Sequence, residues 1–425
     1  MTSRGVYVVV IIAKEIERGL PEDLLKFIRA AGELAAARGQ SVYLVGGAVR
    51  DLFLGRSNLD LDLVFEGDAP SLARQIARQG NMKVVTHPHF GTATISQGNA
   101  SFDMVTARSE SYVRPGALPA VKPGTIRDDL YRRDFTINAM AAHLHPDRFG
   151  ELVDPYGGKG DLDRGLIKVL HGDSFKDDPT RIWRAIRYEQ RLGFRLEPET
   201  ESLLRRDLAL MDAVSGDRLR HELERILKED EPEKAIVRAY ELGILQQLTP
   251  SLQGDGWISQ CFQRARQASP DLQAETAVYL ALLVWRLDKG QIEAFIERLK
   301  FNRITTRILR QIPPLKELLP SFEAQDLRPS GIYHRLERYR PHAVMSAALA
   351  TDSEAVHRKL ALYLSSLGHT APSLNGDELK RLGVPPGRKL GGTLRALKDA
   401  RLDGVVTSRE EEETLVRRWL SGSKH

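Results

Sequence analysis

The sequence predicts an α+β protein: a small α/β unit with a mixed sheet over residues 41–150, followed by a chain that is helical to its end. Three observations lead there. Short apolar runs bounded by turn residues recur from residue 42 to 144, the spacing of strands. One run, Val42–Val45, is cut by Gly46-Gly47, which ends a strand and opens a helix. Beyond Asp161 the strand signal disappears and apolar residues recur at helical spacing.

The elements follow in order. Leu24, Phe27, Ile28, Ala31 and Leu34 predict a helix within residues 20–39, with Pro21 near its start. Strands are expected at 42–45, 60–65, 82–86, 92–96, 102–107 and 138–144, and a helix at about 69–79. Downstream, helices are expected at 178–191, 198–212, 217–227, 232–242, 274–286, 290–300, 303–318, 353–366, 375–382, 390–401 and 408–420. Prolines at 313, 314, 320, 329, 341, 372, 385 and 386 punctuate the last half, and no internal repeat or low-complexity tract stands out.

With 425 residues and 42% hydrophobic content the chain has the size of two to four globular domains. Cys261 is its one cysteine, which rules out an intramolecular disulfide and a cysteine-built zinc site and suits a reducing cytoplasm. The apolar run at residues 6–12 is too short to span a membrane, and Lys14 and Glu15 follow it. Of the net charge of +5, residues 257–425 carry +8, with 27 Lys and Arg against 19 Asp and Glu. A basic C-terminal part beside an acidic cluster further upstream hints at an anionic polymer as partner.

The acidic cluster is Leu59-Asp60-Leu61-Asp62-Leu63-Val64, where apolar and acidic residues alternate. Residues two apart on a strand share a face, so both carboxylates project together. Two such carboxylates repel unless a cation sits between them, and an oxygen-only pair beside a Gly-Gly turn points to Mg²⁺ and a nucleoside triphosphate. A solvated acidic edge is the plainer alternative for Asp-x-Asp alone, but the Gly46-Gly47 junction upstream weighs against it. Asp103 alternates with Phe102 and Met104 as on a strand. Arg132-Arg133-Asp134 suits phosphate or ribose contacts, with Asp134 able to orient one of the arginines. Further on, Asp177-Asp178-Pro179-Thr180-Arg181 opens a helix on which Arg181, Arg184 and Arg187 recur every third residue. Ile182, Trp183 and Ile186 take the other side, which leaves a stripe of arginines in need of an anion.

Gly46-Gly47-Ala-Val-Arg50-Asp51, Asp60-Leu-Asp62, Arg132-Arg133-Asp134-Phe-Thr-Ile-Asn138-Ala, Asp154-Pro-Tyr-Gly-Gly-Lys-Gly-Asp161 and Asp177-Asp178-Pro-Thr-Arg181 occur in that order. Together they resemble the class II tRNA nucleotidyltransferases, the CCA-adding enzymes, and the bacterial poly(A) polymerases of the same family. The resemblance covers roughly residues 40–230. It implies a segment and helix over 1–40, a catalytic head over 41–150, a base-recognising neck over 151–230, a helical body over 231–330 and a tRNA-binding tail over 331–425. It further implies that Gly46, Gly47 and Arg50 hold the triphosphate. Asp60 and Asp62 would hold Mg²⁺, with Asp103 completing the catalytic set. Arg132 would contact the nucleotide, and Asp178 and Arg181 would read the base with Arg184 and Arg187 nearby. CTP and ATP are the implied nucleotides, the tRNA acceptor arm the implied partner, and CCA addition with release of pyrophosphate the implied reaction.

Two departures are visible. The base-reading motif begins with Asp177 where the family commonly has Glu. Leu282-Leu-Val-Trp-Arg-Leu-Asp288 lacks the His-Asp pair of relatives that carry a phosphohydrolase, so none of that activity is expected. Lys300, Arg303, Arg307 and Arg310 follow helical spacing and are candidates for RNA phosphate contact. Within the family the chain could add only A, only CC or a poly(A) tail, and the resemblance implies that the segment between the strand 102–107 and Arg132, including 112–119, occupies the place of the loop that helps switch from C to A. An RNA-binding protein with a decayed head is the alternative from another class, and the intact Asp60 and Asp62 argue against it.

Overall fold

A computed structural model describes residues 10–56, 58–59, 61–97, 100–268, 275–323 and 326–422. Asp60 lies outside the described residues. The chain divides into two compact units, one formed by the chain up to Leu223 together with Leu242–Gln247, the other by Glu224–Glu241 and the chain from Leu248 onward.

The first unit is built on a seven-stranded mixed sheet. β1 (Val42–Val45), β2 (Leu61–Phe65), β3 (Lys83–His87), β4 (Thr92–Gln97), β5 (Ala100–Thr106), β8 (Ala141–His143) and β9 (Leu152–Val153) lie in the order β3-β4-β5-β2-β1-β8-β9. Only β2 and β5 run parallel. β1 is buried along its whole length, as its unbroken apolar run requires, and pairs antiparallel with both β2 and β8. One face of the sheet is covered by α2 (Glu22–Ala37) and α4 (Ala69–Gly80), with the Phe27 ring stacked on Phe102 at 3.6 Å between centroids. α1 (Ala13–Gly19) precedes them, and α3 (Gly47–Phe53) leaves β1 at the glycine pair.

The sequence reading stands for the six strands it named, with shifted ends. The last, expected over 138–144, is only Ala141–His143, because Thr136–Asn138 winds into a 3-10 turn. It missed the hairpin β6 (Arg108–Ser111) and β7 (Ala120–Pro123), whose residues are polar or exposed and carry no period-2 signal. Strands also do not end at Asp161: β10 (Leu166–Ile167) and β11 (Arg195–Leu196) form a short parallel pair. α6 (Gly158–Asp163) and α8 (Arg181–Leu192) pack on it, and the unit also holds α5 (Ile126–Tyr131), α7 (Ser174–Asp177), α9 (Pro198–Asp207) and α10 (Gly216–Ile226), the last running on into the second unit.

The rest of the second unit is helical. The helix expected over 303–318 is two, Arg303–Arg310 and Ile312–Leu318, because Pro313 begins a new first turn. Pro329 and Pro341 likewise start helices, Pro329–Leu336 and Pro341–Ala350, that were read as interruptions. Among the described residues no helix is long and apolar enough to cross a membrane.

Candidate active site

The site grows from the end of β1. Gly46 has φ +70°, and a Cβ there would lie 2.4 Å from Arg133 Nη1. Glycine therefore serves both the turn and the close approach of the guanidinium. Across the sheet, the parallel register of β2 and β5 sets Asp62 directly beside Asp103. Both are exposed, and Thr94 Oγ1 on β4 donates to Asp103 Oδ1 at 2.7 Å. Neighbours in register share a face, so these two carboxylates stand side by side on the sheet. Their all-oxygen chemistry and like charge fit a hard divalent cation. No group of three His, Cys, Asp or Glu that could hold a metal is found among the described residues.

Behind them runs a buried polar chain. Arg50, 3% exposed, donates Nε and Nη2 to the Asp51 carboxylate at 2.9 Å each and Nη1 to Asn138 Oδ1 at 2.6 Å. Asn58 Nδ2 donates to Asp51 from the other side at 2.8 Å. Asn138 Nδ2 reaches Asp134 Oδ1 at 3.0 Å, and Asp134 Oδ2 accepts Nε and Nη2 of Arg184 on α8. Burial pushes the Asp134 carboxyl up, but Arg184 and Asn138 outweigh it and hold it at about 2. Arg50 is thus committed to Asp51 and Asn138, a different placement from a side chain reaching openly for a triphosphate. Asp134 is also not the partner of Arg132 or Arg133. Those arginines lie one turn past buried Asp129, which accepts from Arg132 Nη2 at 2.7 Å and Arg133 Nη2 at 3.1 Å, while Arg132 Nη1 adds Glu110 at 3.1 Å.

The arginines of α8, expected as a stripe in need of an anion, are met largely by groups of the protein itself. Arg181 is 4% exposed; its Nη1 donates to Ser174 Oγ and its Nη2 to the Arg132 carbonyl, both at 2.7 Å. Arg184 holds Asp134, and Arg187 packs over the Tyr188 ring at 4.7 Å, a ring that Arg50 meets at 5.3 Å. Asp178 pairs with Arg218 of α10 rather than with Arg181. Arg218 Nη2 donates to Asp178 Oδ1 at 2.7 Å, and Nη1 donates to the Gly116 carbonyl at 3.2 Å.

These elements line one cleft of about 990 Å³. It brings together Gly47, Arg50, Asp62, Arg132, Asp178, Arg181 and Arg184 of the residues expected from sequence. Gly46, Asp103 and Arg187 are not in its lining, although each adjoins a residue that is. Sequence reasoning missed Asn58, Asn138, Tyr188, Arg218, Arg220 and Glu222, also in the lining. Asn138 stood inside a quoted motif; Arg218, forty residues from its acid, left no local signal. In the second unit, Arg303, Arg307 and Arg310 share one exposed face of Arg303–Arg310. Lys300 is not on that helix: it ends the preceding one, at φ +51°. Arg310 is bound to Glu293 at 2.7 Å.

Side-by-side carboxylates at the rim of an arginine-lined cleft define a protein built to handle phosphates and a hard cation. Comparison narrows the class. Residues 42–168 match the family described as "Poly A polymerase head domain", and residues 193–254 that described as "Probable RNA and SrmB- binding site of polymerase A". The A-adding tRNA nucleotidyltransferase of Geobacter sulfurreducens is 35% identical over 93% of this chain, and that of Halalkalibacterium halodurans 33% identical over 95%. This chain spans 94% of the second protein but about half, 47%, of the first. The CC-adding enzyme of Deinococcus radiodurans is 31% identical over 89% of this chain and 90% of its own length. Among solved structures, an apo CCA-adding enzyme aligns with TM-score 0.82 at 32% identity over 98% of this chain and 99% of that one. The Thermotoga maritima CCA-adding enzyme complexed with tRNA aligns at 0.77, with 31% identity over 97% and 99%. The chain belongs to the tRNA nucleotidyltransferase family.

Proposed function

We propose that this chain adds nucleotides to the 3′ end of tRNA without a template, drawing on CTP and ATP and releasing pyrophosphate. The observation that carries the reading is the cleft in which Gly47, Asp62, Asp178, Arg181 and Arg184 meet, with Asp103 beside Asp62. We read the chain as a head over 41–150, a neck over 151–230, a body over 231–330 and a tail over 331–425, working in the cytoplasm.

Asp62 and Asp103, joined by Asp60 on the strength of the sequence motif, would hold Mg²⁺. When bound, that ion neutralises charge at the α-phosphate and lowers the pKa of the attacking hydroxyl. The Gly46-Gly47 turn lets the triphosphate approach the backbone, with Arg132 and Arg133 as its cationic wall. Arg50 acts through Asp51 and Asn138 as a positioning residue. Asp178 accepts from the exocyclic amine of cytosine or adenine, and Arg181, aimed by Ser174 and the Arg132 carbonyl, donates to the ring acceptor beside it. Uracil and guanine present a carbonyl to Asp178, and an acceptor buried against an acceptor costs about 1–3 kcal/mol. Arg303 and Arg307 are the candidates of the second unit for tRNA phosphates.

Two readings of the product have support. The relatives named A-adding favour completion of a tRNA that already ends in CC; the CCA-adding structures, aligned over nearly the whole chain, favour full CCA addition. Incubation with tRNAs ending before CCA, after C and after CC, followed by sequencing of the ends, separates them. No incorporation of CTP or ATP on any of the three would overturn the enzyme reading and leave an RNA-binding protein with an inactive head.

A further inference from the structure

The sheet has a second face that the cleft only begins to use. Side chains of β2 to β5 that point away from α2 and α4 form rows fixed by strand register. One row is Asp62, Asp103, Thr94 and Val85; the next is Val64, Val105, Thr92 and His87; a third is Ser101, Ser96 and Lys83. Lys83, Val85, His87 and Ser101 are exposed, and Val85 keeps 58% of its surface although it is apolar and lies mid-strand. The turn after β3 adds Phe90, 72% exposed. Three strand spacings of about 4.8 Å put Val85 roughly 14 Å from Asp62.

The cleft reaches this face at Asp62, Val64 and Val105, and the rest of its lining comes from α3, from Glu110 and Tyr112 at β6, from the residues after α5, and from α8 and α10, with no residue of β4 or β3. In phosphoryl transfer the attacking and leaving oxygens lie roughly in line on opposite sides of phosphorus. With the triphosphate on the β1 side of the aspartates, the attacking hydroxyl has to arrive from the β5 side. That side is the open face. We propose that the face over β5, β4 and β3 is the bed on which the last nucleotides of the RNA 3′ end lie, with Lys83, Val85 and His87 as its outer edge. The proposal rests on the reading that this chain extends RNA.

The chemistry suits a single strand of any sequence. Ser101, Ser96 and Thr92 offer hydroxyls to phosphate and 2′-OH groups, contacts that position a strand without reading its bases. Lys83 supplies a cation at the edge. Val85 and Phe90 offer apolar surface on which bases pack. Among the described residues the acids in the three rows are Asp62 and Asp103, where the chain end would react.

The test uses the full chain with a minihelix RNA that ends in unpaired nucleotides. Lys83→Glu and Val85→Glu, singly and together, should raise the KM for RNA, by about tenfold in the pair, and leave the KM for CTP and ATP within about twofold. A photoreactive side chain at position 85 should crosslink to the unpaired end. An unchanged RNA KM in the double variant, while the wild type turns over, overturns the bed, as does a crosslink confined to the duplex. A change in oligomeric state by light scattering would also overturn it, by making this face an interface between copies. Absence of turnover by the wild type instead sinks the functional reading on which the proposal rests.

Discussion

Asp134 and Arg184 lie fifty residues apart in sequence, yet one Asp134 oxygen accepts both Nε and Nη2 of the arginine, while its other oxygen takes Asn138 and the Phe135 amide. The pair joins the turn after α5 to the long helix α8. It is also the last link of the chain Asp51–Arg50–Asn138–Asp134–Arg184. Arg184 holds the acid ionised far below the ordinary carboxylate range, and Asp134 drives the guanidinium upward in turn.

Removing one member of such a pair should cost more than removing both. Asp134→Ala leaves Arg184 facing a buried site without its counter-charge, at a cost of about 3 kcal/mol. Arg184→Met alone strands the acid in the same way. A double-mutant cycle by urea unfolding should return a coupling of about 1–3 kcal/mol. Simple additivity would show that the two residues hold their places independently.

Asp62 and Asp103 present the opposite case. They are exposed like charges in register, so neutralising either relieves repulsion. Asp62→Asn and Asp103→Asn should therefore melt no lower than the parent. If the pair holds the metal, each loses several kcal/mol of transition-state stabilisation, on the order of 10³-fold in rate. A normal rate for Asp103→Asn beside a dead Asp62→Asn would reduce Asp103 to a partner of Thr94.

His143 carries a pH signature for the first unit. It is 1% exposed, its Nδ1 accepts from the His145 amide, and its Nε2 has no hydrogen-bond partner among the described residues. Burial, aided by Arg148, lowers its pKa from 6.5 to about 4. Above pH 6.5 it is neutral folded and unfolded and contributes nothing. As pH falls from 6.5 toward 4 the unfolded chain takes up a proton that the native state resists, so stability declines over that window and levels below it. Urea midpoints at pH 7, 6 and 5 should fall in the parent and fall less in His143→Gln. Parallel profiles would place the titration elsewhere.

Much of the head was legible because its strands are short apolar runs cut by glycine, and a run such as Val42–Val45 has no other stable use than a buried strand. The hairpin of β6 and β7 was not, since neither Arg-Ser-Glu-Ser nor Ala-Val-Lys-Pro carries an apolar run or an alternation that marks a strand. Prolines 329 and 341 were read as breaks because a first-turn proline and an interrupting one look alike in sequence. In the site, residue types were legible and partners were not. Arg181 and Arg184 share a helix with Arg187 as expected, but what those two bind comes from α7 and from the residues that follow α5, which periodicity does not encode. The same holds for Lys300, which closes one helix instead of joining the next.

Asp178 offers the sharpest test of that lesson, because the resemblance sets it to work with Arg181 and its bond goes to Arg218. Thr180 N, Thr180 Oγ1 and Arg218 Nη2 all converge on Asp178 Oδ1, so on the proposed reading Oδ2 is the oxygen that would accept from a base. Arg218 also donates to the Gly116 carbonyl, so the segment 112–119 and Asp178 share one guanidinium. Arg218→Ala should release both. Misincorporation of UTP and GTP should rise against CTP and ATP, with about 1–3 kcal/mol of discrimination lost. Arg218→Lys keeps the charge but lacks the planar fork that spans Asp178 and Gly116, so it should recover rate before it recovers choice. Asp178→Asn adds a donor where the carboxylate only accepts, and should shift preference toward the carbonyl-bearing bases. Competition assays with all four triphosphates check the three variants together. An Arg218→Ala enzyme that is merely slower, with unchanged nucleotide preference, would return Arg218 to a packing role.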